Sequence, residues 1–266
     1  MKRNPYSAYA SIYDRTGQAR FGSAMAQLTI TWLATHQCHP EAVLDLATGT
    51  GAGALEFARA GLEVIAIDSA PAMLHEAKVK ADSLGVTIDF RVGDMRHFSI
   101  DRQLPLITSF FDSINYVVEE SELADVFRCV AASLEPGGWF VFDLNTLHRF
   151  NSVWNDSVEI AYQDDDTLVI YRSSFNLGTG VSPLVLTAFE RDEPDSDLWR
   201  RWDETHVERG YLLSDVEKWL RAAGIEPISI EELNERTMSF QGPATERSPR
   251  AVFFAQRMIV EQGSNG

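Results

Sequence analysis

The stretch VLDLATGTGAGALEFA, from Val43 to Ala58, constrains the fold of this chain more than any other segment. An apolar strand runs into a glycine-rich turn, a helix follows, and the next apolar run, EVIAID, ends on the carboxylate of Asp68. Glycines lack a Cβ, so such a turn bends sharply and brings its backbone close to a ligand. This order is typical of a βαβ nucleotide site and predicts a parallel α/β sheet.

Two nucleotide cofactors fit the glycine-rich turn. Gly49–Ala54 matches the pattern G-x-G-x-x-G/A, which makes NAD one candidate. Asp45 lies four residues before the first glycine, where its charge is unfavourable for a pyrophosphate. S-adenosylmethionine (SAM) carries a sulfonium and an ammonium and no phosphate, so it tolerates this acid. The third predicted strand is followed by GDM, in which Asp94 is placed to accept from an adenine amino group. These features favour SAM and leave NAD as the alternative.

In order and spacing, these segments together resemble the class I SAM-dependent methyltransferases, including the small-molecule and amino-sugar N-methyltransferases. The resemblance covers roughly Tyr6 to Asn145 and rests on Asp45-x-x-x-Gly49-x-Gly51, Asp68, Gly93-Asp94-Met95 and Glu135-Pro136-Gly137-Gly138. It implies an α/β fold with a Rossmann-like, seven-stranded, mostly parallel sheet and helices on both faces. The strand order implied is 3-2-1-4-5-7-6, and the cofactor implied is SAM, with S-adenosyl-L-homocysteine as its product.

The pattern of the chain changes after Asn145. Four β-rich runs between residues 158 and 209 are separated by turn clusters at 164–166, 178–180 and 193–197, which predicts an antiparallel sheet inserted after strand five. We therefore expect three parts: a helical N-terminal arm that covers the cofactor (1–40), a SAM-binding α/β domain (41–150 and 211–260), and a small antiparallel cap over the acceptor site (151–210).

Composition narrows the class of partner. The 266 residues, 45% of them hydrophobic, are enough for a large domain or a domain with a lid. A formal net charge of −16 repels phosphate backbones, so we expect a small-molecule acceptor and no nucleic acid. No apolar run has membrane-spanning length, and MKRNPYSAYASIYD lacks a signal-peptide core. Cys38 and Cys129 have no metal-site spacing. We expect a cytoplasmic monomer or homodimer that needs no metal and no membrane.

The resemblance assigns the cofactor-binding residues. Asp68 is the expected acceptor for the ribose hydroxyls, and Asp94 the expected partner of adenine. Asp45 either binds the cofactor ammonium or braces the loop, and Arg20 is either the partner of the cofactor carboxylate or a surface arginine. The complete expected set is Tyr13, Arg20, Asp45, Ala47, Thr48, Gly49, Gly51, Asp68, Ser69, Met73, Gly93, Asp94, Met95, Phe110 and Phe111.

Four residues are predicted at the point of methyl transfer: Tyr9, Tyr13, Asn145 and Arg201. The spacing of Tyr6, Tyr9 and Tyr13 puts the three rings on one helical face, either to dock the arm or to cover the cofactor as the resemblance implies. Alternation along a cap strand separates Arg201 from His206, and one of the two faces is expected to contact the acceptor. His206 is either a structural residue or a base.

The expected reaction is transfer of the sulfonium methyl to a small-molecule acceptor by in-line displacement, in which alignment supplies much of the rate. An amine acceptor needs no dedicated base, whereas an alcohol or phenol benefits from one. The sequence shows no evident His/Asp pair and no metal-ligand cluster, which favours an amine nitrogen. The alternatives are an O-methyltransferase of a small metabolite, then an NAD-dependent oxidoreductase, and finally a non-catalytic protein that binds SAM.

Overall fold

A computed structural model describes residues 5–193 and 196–259 of the chain. Within these residues the helices are α1 (Ala10–Tyr13), α2 (Ala19–Thr35), α3 (Ala52–Arg59), α4 (Pro71–Leu84), α5 (Glu120–Ser133), α6 (Leu147–Ser152) and α7 (Leu213–Ala222), with a 3₁₀ turn at Ser113–Tyr116. The strands are β1 (Ala42–Leu46), β2 (Glu63–Asp68), β3 (Asp89–Val92), β4 (Leu104–Ser109), β5 (Leu134–Asn145), β6 (Ser157–Gln163), β7 (Thr167–Ser173), β8 (Val181–Arg191), β9 (Trp199–Arg209), β10 (Ile225–Asn234), β11 (Ser239–Pro243) and β12 (Arg250–Arg257).

The central sheet is mostly parallel and has the order β11-β10-β12-β5-β4-β1-β2-β3. Its first five strands in sequence pair in parallel, whereas β12 runs antiparallel to both β5 and β10. The predicted order 3-2-1-4-5-7-6 is therefore confirmed for seven strands. The sheet has one strand more than predicted, because β11 pairs antiparallel with β10 at the edge.

Helices cover both faces of this sheet and bury two layers of apolar side chains. On one face, α2 and α3 pack Met25, Leu33 and Phe57 against the sheet. On the other face, α5 and α7 contribute Phe127 and Val216 to a second cluster. The central strands are mostly apolar because both of their faces are buried, and the buried acids Asp45, Asp68 and Asp143 interrupt or end them. Since α2 packs on the sheet, the part of the predicted arm that borders the site is residues 5–18 together with the first turn of α2, which contributes Ala19 and Gly22.

Strands β6 to β9 form a separate four-stranded antiparallel sheet in simple meander order, as predicted from the turn clusters. Pro194 and Asp195, from the third predicted turn cluster, lie outside the described residues. On β9, Trp202, Glu204, His206 and Glu208 are buried, and this face packs toward the N-terminal segment. No helix of the described residues is long and apolar enough to cross a membrane.

Candidate active site

The glycine-rich turn after β1 is shaped by backbone conformations that favour glycine. Gly51 has φ of +79°, and a Cβ built on it would lie 2.9 Å from the Cβ of Ala77. A larger residue would therefore be both strained and in contact with α4. Thr48 in the same turn donates its hydroxyl to Asp45 at 2.6 Å. The turn thus leaves β1 sharply and starts α3 beside an open space.

That space is a cavity of about 540 Å³ at the carboxyl ends of the parallel strands, a size typical of small-ligand sites. Of the predicted cofactor-binding residues, thirteen line it: Tyr13, Asp45, Ala47, Thr48, Gly49, Asp68, Ser69, Met73, Gly93, Asp94, Met95, Phe110 and Phe111. Gly51 belongs to the turn but does not line the cavity. Arg20 is exposed and does not line this cavity, so its position is that of a surface arginine.

Asp68 and Asp45 are buried acids with different surroundings. Asp68 accepts the Gly49 N–H at 2.7 Å and the Ala70 N–H at 2.8 Å, one on each oxygen. Burial raises the pKa of Asp68, although these backbone donors act in the opposite direction. Asp45 accepts the hydroxyls of Thr48 and Thr108, and burial raises its pKa to about 6. Asp68 therefore retains lone pairs for a ligand, while Asp45 braces the glycine turn.

Asp94 is held by an ion pair at the rim of the cavity. Arg96 donates to its two oxygens at 2.9 and 2.6 Å and also contacts Glu122 at 2.8 Å. These contacts lower the pKa of Asp94, so the carboxylate is charged at neutral pH. The arginine fixes the orientation of an acceptor group at the end of β3.

A second cavity, of about 380 Å³, adjoins the first. Both cavities are bordered by the same five side chains, which we call the junction: Tyr6, Tyr13, Gln18, Phe111 and Tyr116. The remaining walls of the second cavity come from the antiparallel sheet, from α6 and from the ends of β10 and β12. Two ligands placed one in each cavity would therefore meet at the junction.

A fully buried arginine supports the wall of the second cavity. The Arg250 guanidinium donates to Asp112 at 2.8 Å and to Asp143, and its Nε lies 3.2 Å from a Glu235 oxygen. Asp143 in turn accepts the backbone N–H groups of Phe111 and Asp112, at 2.6 and 3.1 Å. Both of these residues have positive φ, of 60° and 51°. The carboxylate therefore holds an unfavourable bend that places Phe111 at the junction.

Glu208 faces the same wall with a carboxyl group that is short of partners. Its Oε2 is buried and has no hydrogen-bond partner among the described residues. Burial, together with the nearby Asp112 carboxylate, raises the pKa of Glu208 well above its usual range. A polar group of a ligand in this cavity would satisfy the unpaired oxygen.

The N-terminal segment is fastened over the junction by one carboxylate from β9. Glu204 accepts the backbone N–H groups of Tyr6, Ala8 and Tyr9 at 2.8, 2.5 and 3.2 Å. The hydroxyl of Tyr9 adds a bond of 2.8 Å to Tyr171 on β7. The segment thus bridges the two sheets and covers the place where the cavities meet.

The structure separates the four residues predicted at the point of transfer. Tyr13 lines both cavities, and Tyr9 lines the second. Asn145 is fully buried beside Asn115 and lines neither cavity. Arg201 projects from the outer face of β9, where its side chain is 54% exposed and pairs with Asp203. Neither cavity includes Arg201, so the prediction that placed it at the point of transfer is not supported by its position.

Sequence reasoning missed several residues that the fold brings together here. Tyr116 forms hydrogen bonds to Tyr6 and to His206, and Arg250 with Glu208 completes the wall. Arg250 begins an apolar strand, RAVFFAQR, and its partners Asp112 and Asp143 follow or interrupt other apolar strands. Acidic residues and an arginine beside buried strands indicate paired charges, although the sequence alone does not identify the pairs. Over residues 5–193 and 196–259, no group of three or more His, Cys, Asp or Glu side chains is arranged to hold a metal ion.

Comparison with known proteins finds methyltransferases by family model, by sequence and by structure. Residues 43–138 match the family model of a methyltransferase domain. YqeM of Bacillus subtilis, which is named a putative methyltransferase, is 29% identical over 251 residues, which are 94% of this chain and 95% of that protein. The crystal structure of a S-adenosylmethionine-dependent methyltransferase from Clostridium acetobutylicum superposes with a TM-score of 0.83 at 25% identity, covering 96% of this chain and all of that one.

Two further matches are named for different substrates or reactions. A SAM-bound amino pentose methyltransferase from Micromonospora echinaspora shares the fold, with a TM-score of 0.73 at 19% identity over 97% of this chain and 100% of its own. A ubiquinone biosynthesis O-methyltransferase from Xanthomonas axonopodis is 30% identical over 110 residues, which are 40% of this chain and 43% of that protein. The matches therefore do not distinguish nitrogen from oxygen acceptors.

Proposed function

We propose that this chain is a class I SAM-dependent methyltransferase and that it methylates an amine nitrogen of a small-molecule acceptor. In this proposal SAM occupies the first cavity and the acceptor occupies the second. The sulfonium methyl is attacked in line by the nitrogen lone pair, and S-adenosyl-L-homocysteine leaves. The observation that carries the proposal is the shared border of the two cavities, because it puts the two ligands in contact within one covered space.

The residues of the first cavity fit SAM by their chemistry. Asp68 offers acceptor-only oxygens for two ribose hydroxyls, and Asp94 offers them for an adenine amino group. Bound SAM supplies an activated methyl group whose leaving group needs no acid. Tyr13 and Phe111, which line both cavities, would exclude water and align the acceptor.

The preference for an amine comes from the walls of the second cavity. The walls carry the carboxyl groups of Asp112, Glu159, Glu208 and Glu235 and the two arginines Arg149 and Arg250. Without Glu208, whose raised pKa favours the neutral form, three acids remain against two cations. Tyrosine rings line the opposite side, and both features favour a cationic ligand. Similarity in fold to an amino pentose methyltransferase supports the same choice.

One observation favours an oxygen acceptor instead. The sequence showed no evident base, but the structure brings His206 next to Tyr116 and within 3.5 Å of Glu204, inside the second cavity. A positioned imidazole would help an alcohol or phenol lose its proton. The absence of an evident base therefore no longer favours a nitrogen acceptor, and O-methylation of a small metabolite is the second candidate function.

The test uses methyl-labelled SAM, the purified protein and a panel of matched pairs, each an amine and the alcohol or phenol on the same carbon skeleton. Mass spectrometry locates the label on nitrogen or oxygen. Label on the amines alone supports the proposal, and label on the hydroxyl partners alone replaces it with the second candidate. Samples without protein and samples with heat-denatured protein are the controls for non-enzymatic transfer.

A second measurement distinguishes the cofactors. We expect S-adenosyl-L-homocysteine to raise the melting temperature and NADH to leave it unchanged, because the first cavity offers carboxylates rather than a phosphate site. Protection by NADH alone would contradict the cofactor assignment.

A further inference from the structure

A continuous chain of polar side chains leads from the junction into the cap. The hydroxyls of Tyr6 and Tyr116 lie 2.6 Å apart, and the Tyr116 hydroxyl lies 3.0 Å from Nδ1 of His206. The other ring nitrogen of His206, Nε2, lies 3.5 Å from an oxygen of Glu204. Nε2 is buried, and none of the described residues lies in hydrogen-bonding geometry with it.

The position of this chain is as informative as its distances. Tyr6 and Tyr116 border both cavities, so their hydroxyls lie where cofactor and acceptor meet. His206 borders the second cavity only, and Glu204 is buried behind it. One end of the chain therefore faces the reacting atoms, and the other end is a carboxylate shielded from solvent.

We propose that Tyr6, Tyr116 and His206 form a proton relay that removes the proton of the acceptor nitrogen before methyl transfer. The proposal rests on the proposed function, because it supplies the neutral amine that the reaction needs. In neutral water most aliphatic amines are protonated, and an ammonium has no lone pair to attack a methyl group. A relay at the junction overcomes this difficulty without a base in contact with the acceptor.

The steps balance in protons and electrons. The acceptor ammonium donates a proton to the Tyr6 oxygen while Tyr6 passes its own proton to Tyr116, and Tyr116 passes its proton to Nδ1 of His206. The nitrogen lone pair then forms a bond to the methyl carbon, and the carbon–sulfur bond breaks with its electrons remaining on sulfur. The products are a methylated ammonium, S-adenosyl-L-homocysteine and an imidazolium, which returns its proton to water after product release.

The charges around the relay fit these roles. Donors from the N-terminal segment and His206 keep the pKa of Glu204 below its usual value, so Glu204 is a carboxylate that stabilises an imidazolium beside it. Burial raises the pKa of Tyr6 and Tyr116 well above their usual value, so both act as neutral hydroxyls. The other titratable groups near the relay are Glu208, on the same face of β9, Asp112, whose carboxylate acts on both tyrosines, and Tyr13, whose ring centroid lies 6.0 Å from that of Tyr6.

Glu204 has two contacts that matter here. The same carboxylate that lies beside His206 also accepts the backbone N–H of Tyr6. It is a positioning residue, because it fixes the first and last members of the relay relative to each other. The relay is therefore complete only when the N-terminal segment is docked on the cap.

The kinetic test compares His206→Gln with the wild type on the amine that gives the most product in the panel. Glutamine retains an acceptor for the Tyr116 hydroxyl but does not take up a proton. We expect kcat to fall by about 10²–10⁴-fold near pH 7 and to approach the wild-type value as the pH rises toward the pKa of the free amine, with the KM for SAM unchanged. Tyr116→Phe should show the same pH dependence.

The matched control is His148→Gln, because His148 lies on α6, contacts Ser152 and lines neither cavity. Its pH profile should match that of the wild type. An equal loss of activity in His206→Gln at all pH values, or no loss, would overturn the relay.

A second readout needs no acceptor. In ¹⁵N-histidine-labelled protein with S-adenosyl-L-homocysteine, the His206 signals are those missing from His206→Gln. We expect Nδ1 to be the unprotonated nitrogen at high pH and its signal to move in Tyr116→Phe. A proton on Nδ1 under these conditions would overturn the relay, whereas a panel without N-methylated product would overturn the proposed function.

Discussion

The two cavities of the site are built in different ways. Most of the first cavity is lined by three short runs at the carboxyl ends of β1, β2 and β3: residues 45–52 without Leu46 and Gly51, residues 68–73, and residues 93–96. The second cavity draws single residues from places as far apart as Tyr6 and Arg250, on the N-terminal segment, both sheets and α6. The first is a property of one motif, and the second is a property of the assembled fold.

This difference has a physical cause. A glycine turn and the strand-end acids of a parallel sheet make a ligand site by local geometry, since adjacent strands end at the same edge. The acceptor side has no such repeated geometry. Its shape depends on how the antiparallel sheet packs and on ion pairs such as Arg250 with Asp143, which close over long separations in the chain. Substitutions should therefore affect the two cavities in different ways.

The largest expected effect is on the acceptor side, in Arg250→Met. Loss of the guanidinium leaves Asp112 and Asp143 buried without their cation, which should lower the free energy of unfolding by about 3–5 kcal/mol. Urea denaturation measures the loss. The exposed Arg236→Met is the control and should change stability by less than about 0.5 kcal/mol. A loss below about 1 kcal/mol in Arg250→Met would contradict the role of this network.

Asp68→Ala should affect the cofactor side selectively. Removal of a charged acceptor costs about 1.5–3 kcal/mol, so the affinity for S-adenosyl-L-homocysteine should fall by about ten- to a hundredfold. Isothermal titration calorimetry measures the change. Asp89→Ala, on the neighbouring strand, removes an exposed acid paired with Arg91 and should leave the affinity unchanged. Equal affinities of the Asp68 variant and the wild type would refute the assignment.

Tyr9→Phe tests the docking of the N-terminal segment. The lost hydroxyl bonds to Thr16 and Tyr171 are between neutral groups, so we expect a loss of about 1 kcal/mol in thermal or urea unfolding. Tyr162→Phe is the matched control, because its hydroxyl contacts Asp164 at the surface of the cap. A loss of kcat of a thousandfold with unchanged stability would instead restore Tyr9 as a residue of the methyl-transfer step.

The smallest expected effect is that of Arg201→Ala. The side chain is half-exposed, pairs with Asp203 on its own strand and lies 5.9 Å from the ring centroid of Phe189, so stability should change by less than about 0.5 kcal/mol. The kcat/KM for the acceptor should stay within about twofold of the wild type, since Arg201 borders neither cavity. A tenfold decrease would show that the outer face of β9 contacts the acceptor.

Prediction from sequence succeeded where the interactions are local. The separate antiparallel sheet was predicted from turn clusters, and the order of seven strands from the resemblance to class I SAM-dependent methyltransferases; both predictions are confirmed. Thirteen of the fifteen predicted cofactor-binding residues line the first cavity. The extra edge strand β11 was missed because its run, SFQGP, is short and mixed in polarity. For Arg20 the sequence left two positions open, and its exposed place outside the cavity agrees with a surface arginine.

The sequence by itself determined the strands of the central sheet and the residues along the cofactor side. Apolar strands, glycine turns and strand-end acids are each encoded within a few consecutive residues. Only the tertiary structure decided the acceptor side. Alternation along β9 predicted two opposite faces, but which of them is buried depends on the packing of the cap against Tyr6 and Tyr9. The contact of Tyr116 with His206, 90 residues apart, likewise exists only after both sheets are in place.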